Sequence, residues 1–83
     1  MADWNKAVRL SYDQGSHDIL SVRGPAQAEV LMRADRWPGV EGQKISEARR
    51  INLFAITGLV EGEVARSAFV AAAREGGLRV VES

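Results

Sequence analysis

The chain contains no cysteine and a single histidine, His17. These absences exclude disulfides, zinc–thiolate and iron–sulfur sites, a thiol nucleophile, and any metal site or acid/base pair that needs two histidines. Charge of one sign is also lacking: eleven Lys and Arg balance eleven Asp and Glu. Nucleic-acid binders usually carry an excess of basic charge to neutralise phosphates, so the total disfavours that class and leaves room only for a local patch. Zero net charge gives no protection against self-association, which mildly favours an oligomer. Long apolar runs are missing too. The longest, Leu53-Phe54-Ala55-Ile56, is far short of a membrane span. The opening Met1-Ala2-Asp3-Trp4-Asn5-Lys6 lacks the charged-then-apolar layout of a signal peptide, and the expected address is the cytoplasm.

What is present suits one small domain. The 83 residues are 46% hydrophobic and 27% charged, ordinary for a globular chain and too apolar for a disordered one. They form a single expected domain over 1–83, with an ordered core over about residues 7–81. A chain this short buries about 60–65% of its unfolded surface, and its net stability falls on the order of 4–12 kcal/mol. A shallow site or an interface is easier to build on it than a deep pocket.

Along the chain, Val8, Leu10 and Tyr12 alternate with Ala7, Arg9 and Ser11, the period of a half-buried strand. Asp13-Gln14-Gly15-Ser16 supplies turn chemistry. A second strand follows over His17 to Arg23, with Leu20 and Val22 facing inward and Ile19 on the opposite face. Gly24-Pro25 opens a helix, because proline at the first helical position loses no hydrogen bond. Val30 and Ala34, widened by Ala28, Leu31 and Met32, form its expected core stripe to about Arg36. Trp37-Pro38-Gly39 stops it, and Val40-Glu41-Gly42 completes a loop.

A second helix is expected over Gln43 to Thr57, with Ile45, Ala48, Asn52, Ala55 and Ile56 on one side. Ile51, Leu53 and Phe54 spread apolar character around the rest, which predicts a central, surrounded helix. Gly58 is placed to end it in the left-handed conformation. A third helix runs over about Glu63 to Glu75, with Val64, Ala68, Ala71 and Ala72 on one face and Ala65 and Phe69 beside them. Gly76-Gly77 ends it, and Leu78-Arg79-Val80-Val81 reads as a closing strand. The order is ββαααβ. The expected class is α+β, an N-terminal hairpin and a C-terminal strand in one sheet with the helices on one face.

One pattern carries a resemblance. Trp37-Pro38-Gly39, Gly58, and the run Ala65-Arg66-Ser67-Ala68-Phe69-Val70-Ala71-Ala72-Ala73-Arg74-Glu75 resemble a family of small bacterial proteins catalogued as domain of unknown function 982. The resemblance spans about residues 8–81, and its specific part is the third helix. It implies a fold and a length but no reaction. Two departures stand out. Relatives often cap the third helix with Ser or Thr, where this chain has Val60-Glu61-Gly62, so a weaker cap is expected. Relatives often carry a cysteine near the positions of Ile51 or Asn52, and this chain has none.

Candidate chemistry is sparse. His17, beside Asp18 in the hairpin, is expected to be a solvated strand-edge residue. No serine stands in a Gly-x-Ser-x-Gly elbow, and no Gly-rich phosphate loop is present. Glu61 and Glu63 lie near a helix start, where the dipole accounts for them. Arg66 has two readings: a structural partner for an acid or for loop carbonyls, or a fork for a carboxylate ligand. Trp37 is expected to plug the core between the first two helices with its indole N–H on a carbonyl, or to line a ligand site with Arg66. Trp4 is expected to be partly exposed, marking a contact surface. Lys44, Arg49 and Arg50 put positive charge on the second helix, with Glu41 and Glu47 nearby, so a solvated mixed face is expected there.

The reading by elimination is a non-enzymatic interaction or accessory module, self-associating or docking to a protein partner, with no catalytic residue, metal or cofactor. Nucleic-acid binding through Arg49, Arg50 and Lys44 is the second reading. A small-ligand binder or enzyme using Arg66 and Trp37 is the third.

Overall fold

Three antiparallel strands and three helices follow one another as β1 (Val8–Ser11), β2 (Leu20–Val22), α1 (Pro25–Arg33), α2 (Gln43–Ile56), α3 (Gly62–Glu75) and β3 (Arg79–Glu82). The computed structural model describes residues 4–11, 19–33, 37 and 42–82. The expected turn at Asp13–Ser16, Tyr12, His17, the last turn of the first helix and the Pro38–Glu41 loop lie outside the described residues.

The sheet order is β2-β1-β3. β1 meets β2 with Val8 opposite Val22, Arg9 opposite Ser21 and Leu10 opposite Leu20. β3 runs antiparallel to the other side of β1, with Leu10 opposite Val80 and Ser11 opposite Arg79. Val81 is an extra residue on β3, because Arg9 pairs with Glu82 across an irregular register, the geometry of a bulge. The period of two sets the faces, except that Ser11, on the side of Arg9, is fully buried. Val8, Leu10 and Val22 are sealed beneath the helices, while Arg9, Ser21 and Arg79 are exposed.

The strand-to-helix joint after β2 is held by one side chain. Gln27 accepts the Arg23 backbone N–H on Oε1 and donates from Nε2 to the Ser21 carbonyl, both at 3.0 Å. It reaches back from the third helical position, as in a capping box. Ala28 and Met32 of α1 are buried and Leu31 packs against the core, but Val30 is exposed. The stripe therefore turns toward Ala28, and Glu29 is buried beside it instead of Val30.

The second helix is not surrounded. Ile45, Ala48 and Asn52 are buried, yet Ser46, Arg50, Leu53, Phe54 and Thr57 are exposed along its outer side. Among the described residues only α1 and α3 flank it, and no further element covers that outward stripe. The face of α3 is also rotated from the expected one. Ala65, Arg66, Phe69, Val70, Ala72 and Ala73 are buried, and Val64 is exposed. Phe69 is the largest fully buried side chain, and seating it sets the helix's rotation.

Phe69 sits between two tryptophans. Its ring centroid is 5.8 Å from Trp4 and 5.5 Å from Trp37, each tilted by 40°. Such pairs add about 0.5–1.5 kcal/mol each beyond the area they bury. Trp4 is 7% exposed, so the expected contact surface there does not exist. Its backbone N–H donates to the Arg23 carbonyl at 2.7 Å, which draws the segment before β1 over the core. Trp37 is buried in the core as expected, but its ring contact is with Phe69 of α3 rather than between the first two helices.

Candidate functional site

Both α2 and α3 end in the same motif. Gly58 and Gly77 each take φ of 84°, and these glycines stand just past the helix ends. In α2 the Leu59 N–H donates to the Phe54 carbonyl at 2.8 Å, and the Gly58 N–H to Ala55 at 3.1 Å. In α3 the Leu78 N–H donates to Ala73 at 3.0 Å, and the Gly77 N–H to Arg74 at 3.1 Å. These are paired Schellman closures, in which the residue after the glycine normally folds an apolar side chain back onto the helix.

The two leucines at that position part ways. Leu78 is 4% exposed and closes the core, whereas Leu59 is 73% exposed. Leu59 has company in the chain around it, since Leu53, Phe54 and Val64 are also exposed. The α2–α3 corner thus presents four large apolar side chains within twelve residues of chain. Exposed charges stand with it, Arg50 one turn before Leu53 and Glu61 and Glu63 at the start of α3, between Leu59 and Val64.

A cleft of about 570 Å³ opens at the same corner, lined by Trp4, Asn5, Pro25, the end of α2 from Ala55 to Gly58, and Val60 to Glu63. Gly62 lets α3 approach Trp4, for a Cβ there would lie 3.3 Å from the indole Cδ1. The Trp4 indole N–H is buried against this contact without a hydrogen-bond partner. Glu61 precedes α3 with no side-chain cap bond, the weak start expected from the departure at Val60-Glu61-Gly62.

Arg66 and Trp37 are not brought into one cleft. Arg66 is 8% exposed; its Nε donates to the Lys6 carbonyl at 2.8 Å and its Nη2 to Ala7 at 3.4 Å. A shallow depression beside it is lined by Ser67, Val70, Ala71 and Arg74 and excludes Trp37. Trp37 lies on Phe69.

The basic stretch of α2 is divided in the same way. Arg49 lies 3.9 Å from Glu29 Oε1, which also meets Arg33 at 3.4 Å. The Lys44 backbone N–H donates to a Glu75 carboxylate oxygen at 3.2 Å, so an acid of α3 stands over this end of α2. Of the three cations, Arg50 alone lies on the outward stripe without such an acid among the described residues. Glu29 and Glu75 are the acids met here; of the two expected, Glu47 accepts from Gln43 Nε2 at 3.4 Å and Glu41 lies outside the described residues. Glu29's signal in the sequence was its place four residues before Arg33.

Asn52, the single polar break in the apolar half of α2, is fully buried. Its Nδ2 donates to Ala48 at 2.8 Å and across to Ala65 of α3 at 3.4 Å. Both acceptors are carbonyls, so the amide must present its NH₂, and Oδ1 is left without a partner.

Among the described residues no three His, Cys, Asp or Glu side chains gather as a metal site, and no helix is long and apolar enough to cross a membrane. No curated protein and no solved structure matches the chain. Its residues 6–80 match the profile of a family described as protein of unknown function (DUF982), the family that the Trp-Pro-Gly element and the Arg66–Phe69 helix resemble, and the chain belongs to it.

Proposed function

We propose that this protein is a non-enzymatic interaction module that self-associates through the α2–α3 corner. The observation that carries this is the contrast between Leu59 and Leu78, one motif with its leucine turned to solvent in the first case and into the core in the second. Leu59, Leu53, Phe54 and Val64 are 41–73% exposed, so covering what remains in water would gain on the order of 1 kcal/mol per side chain. A second copy of the same surface covers them.

Charge favours that occupant. Arg50 is exposed one turn before Leu53, and Glu61 and Glu63 are exposed between Leu59 and Val64. A two-fold pairing is self-complementary, and it sets Arg50 of each copy against the acids of the other. A standard interface takes about 800 Å² per partner, about one-sixth of the 5092 Å² surface. Four side chains fill less than that, so a weak dimer with a dissociation constant on the order of 10–100 µM is expected. What supports the non-enzymatic reading is the engagement of Arg66 by the Lys6 and Ala7 carbonyls and of Trp37 by Phe69.

Sedimentation equilibrium across the micromolar range tests the proposal. A concentration-dependent shift toward twice the monomer mass is expected, lost in Leu59→Glu. Restoring the weakened pairing of Arg50→Glu by Glu61→Arg with Glu63→Arg would show that the charges meet. A monomer at every concentration rules the self-association out.

A further inference from the structure

Arg66 is a cation set into the body of the domain with no carboxylate to meet it. It is 8% exposed, and among the described residues it makes no ion pair. Buried charges are ordinarily paired, because taking one out of water is expensive. The Lys6 and Ala7 carbonyls accept two of its five N–H groups, from Nε and Nη2. No nitrogen of Arg66 is both sealed from water and unpartnered, so Nη1, which donates to neither carbonyl, reaches the surface. It does so at the depression of about 260 Å³ that Arg66 lines with Ser67, Val70, Ala71 and Arg74.

Arg74 enters the same depression from two turns further along α3. The two Cα atoms are about 12 Å apart along the axis, and a long helical side chain leans toward the N-terminus, which brings Arg74 back over Val70 and Ala71. Arg74 and Ser67 are both exposed, and among the described residues neither side chain has an ion pair or hydrogen bond. No acid lines the depression. Glu63, one turn before Ser67, lines the Trp4 cleft, and the Glu75 carboxylate accepts from the Lys44 N–H. The helix dipole accounts for a cation in the last turn of α3, but not for a second, buried one facing the same hollow.

We infer that Arg66, Ser67 and Arg74 bind a phosphate dianion, free or as the monoester of a small molecule. Two guanidinium groups bring two positive charges, which a dianion balances and a carboxylate leaves half neutralised. A tetrahedral phosphate has oxygens for both forks and for the Ser67 O–H at once, whereas a carboxylate offers two oxygens in one plane. The volume lies below the roughly 300–1,000 Å³ of sites that enclose drug-sized ligands, which limits what the phosphate carries to a few atoms. The edge of Arg66 that holds the Lys6 and Ala7 carbonyls stays engaged, so its structural bonds and its ligand bonds use different N–H groups. The site shares no residue with the α2–α3 corner.

The test is an NMR titration of the full chain with inorganic phosphate at fixed ionic strength and about pH 8, where phosphate is a dianion. Saturable shifts are expected at the amides of residues 67–74 and at the Nε–H signals of Arg66 and Arg74. The dissociation constant should be on the order of 1 mM, as suits a small ligand on a shallow site. Arg74→Gln should weaken binding about tenfold, one charge-assisted contact, and Ser67→Ala about threefold. Both positions are exposed, so both variants should keep the wild-type thermal melt. Glycerol phosphate that binds at least as tightly as the free ion assigns the site to an ester, and weaker binding assigns it to the free ion. The inference is overturned by shifts that do not saturate up to about 50 mM phosphate. An Arg74→Gln protein that titrates like wild type, or acetate that binds as tightly as phosphate, overturns it as well. Leu59→Glu should leave the titration unchanged, so failure of self-association and failure of this site are seen separately.

Discussion

The Nε of Arg66 donates to the carbonyl oxygen of Lys6 at 2.8 Å, joining residues sixty apart in the chain. Its Nη2 reaches the next carbonyl, Ala7. These are the backbone groups just before β1, where no strand partner takes them. One turn further along α3, Phe69 receives Trp4 from the same N-terminal segment. The Arg66–Phe69 pair of the family signature is thus a clasp that holds the entry to the sheet against the third helix.

Arg66→Ala leaves those carbonyls unpaired and is expected to cost about 2 kcal/mol, in the range for hydrogen bonds to charged groups. Arg66→Lys retains the charge but lacks the planar fork, so it should recover about half of that loss. Urea denaturation measures both. Unchanged stability in Arg66→Ala would remove the clasp and reopen the carboxylate-ligand reading of this residue.

Two glycine-to-alanine changes separate two different needs. At Gly58 a Cβ meets no atom within 4 Å, but φ is 84°, a conformation that costs alanine about 1 kcal/mol. At Gly62 the backbone is helical, and the added Cβ lies 3.3 Å from Trp4 Cδ1. Trp4 is packed on Phe69 and cannot retreat, so the overlap should outweigh the gain in helix propensity by about 1 kcal/mol. Trp4→Leu should relieve Gly62→Ala but not Gly58→Ala. Thermal melts of the three single and two double variants decide it, and additive losses at Gly62 and Trp4 would contradict the contact.

Much of this architecture was legible from local patterns. Alternation around Val8 and Leu10, the Gly24-Pro25 start and the glycines after α2 and α3 each specify geometry within a few residues, and the elements form there. Which face of a helix is buried depends on neighbours that local pattern does not name. Val30 and Val64 are apolar enough for the core, but Met32 and Phe69 are larger and settle the rotation of their helices. Trp4 could not be placed from its surroundings in sequence, because its partners are Arg23 and Phe69. The corner was hidden for the related reason that an apolar helix reads as buried, whether or not anything lies above it.

Asn52→Asp should be the most damaging single-atom exchange in the protein. The carboxylate removes the NH₂ that serves Ala48 and Ala65 and places a charge in a fully buried site. An uncompensated buried charge costs about 3–5 kcal/mol. Burial raises the folded-state pKa of the new carboxyl above its unfolded value near 3.9. The sign then follows: the ionised form is penalised only in the folded state, so the deficit grows as pH rises from about 4 toward neutrality. Relative to wild type, the variant should be nearer normal stability at pH 4 than at pH 7. A deficit independent of pH would mean that Asn52 is reached by water or by another donor.

Leu59 and Leu78 offer the sharpest separation of folding from association, because they occupy the same position in the same motif. Leu78→Ala opens space in the core beneath a side chain that is 4% exposed and should cost about 2–4 kcal/mol. Leu59→Ala removes a side chain that is 73% exposed, so its effect on the monomer should stay within about 0.5 kcal/mol. If the corner is where two copies meet, the ranking reverses in the association measurement. Leu59→Ala then weakens the dimer about tenfold, which corresponds to about 1.4 kcal/mol, while Leu78→Ala changes dimerisation only through the population of folded chains. Denaturation and sedimentation on the same two samples give both rankings. A Leu59→Ala protein that loses stability without losing association would place this leucine in the fold and remove it from the interface.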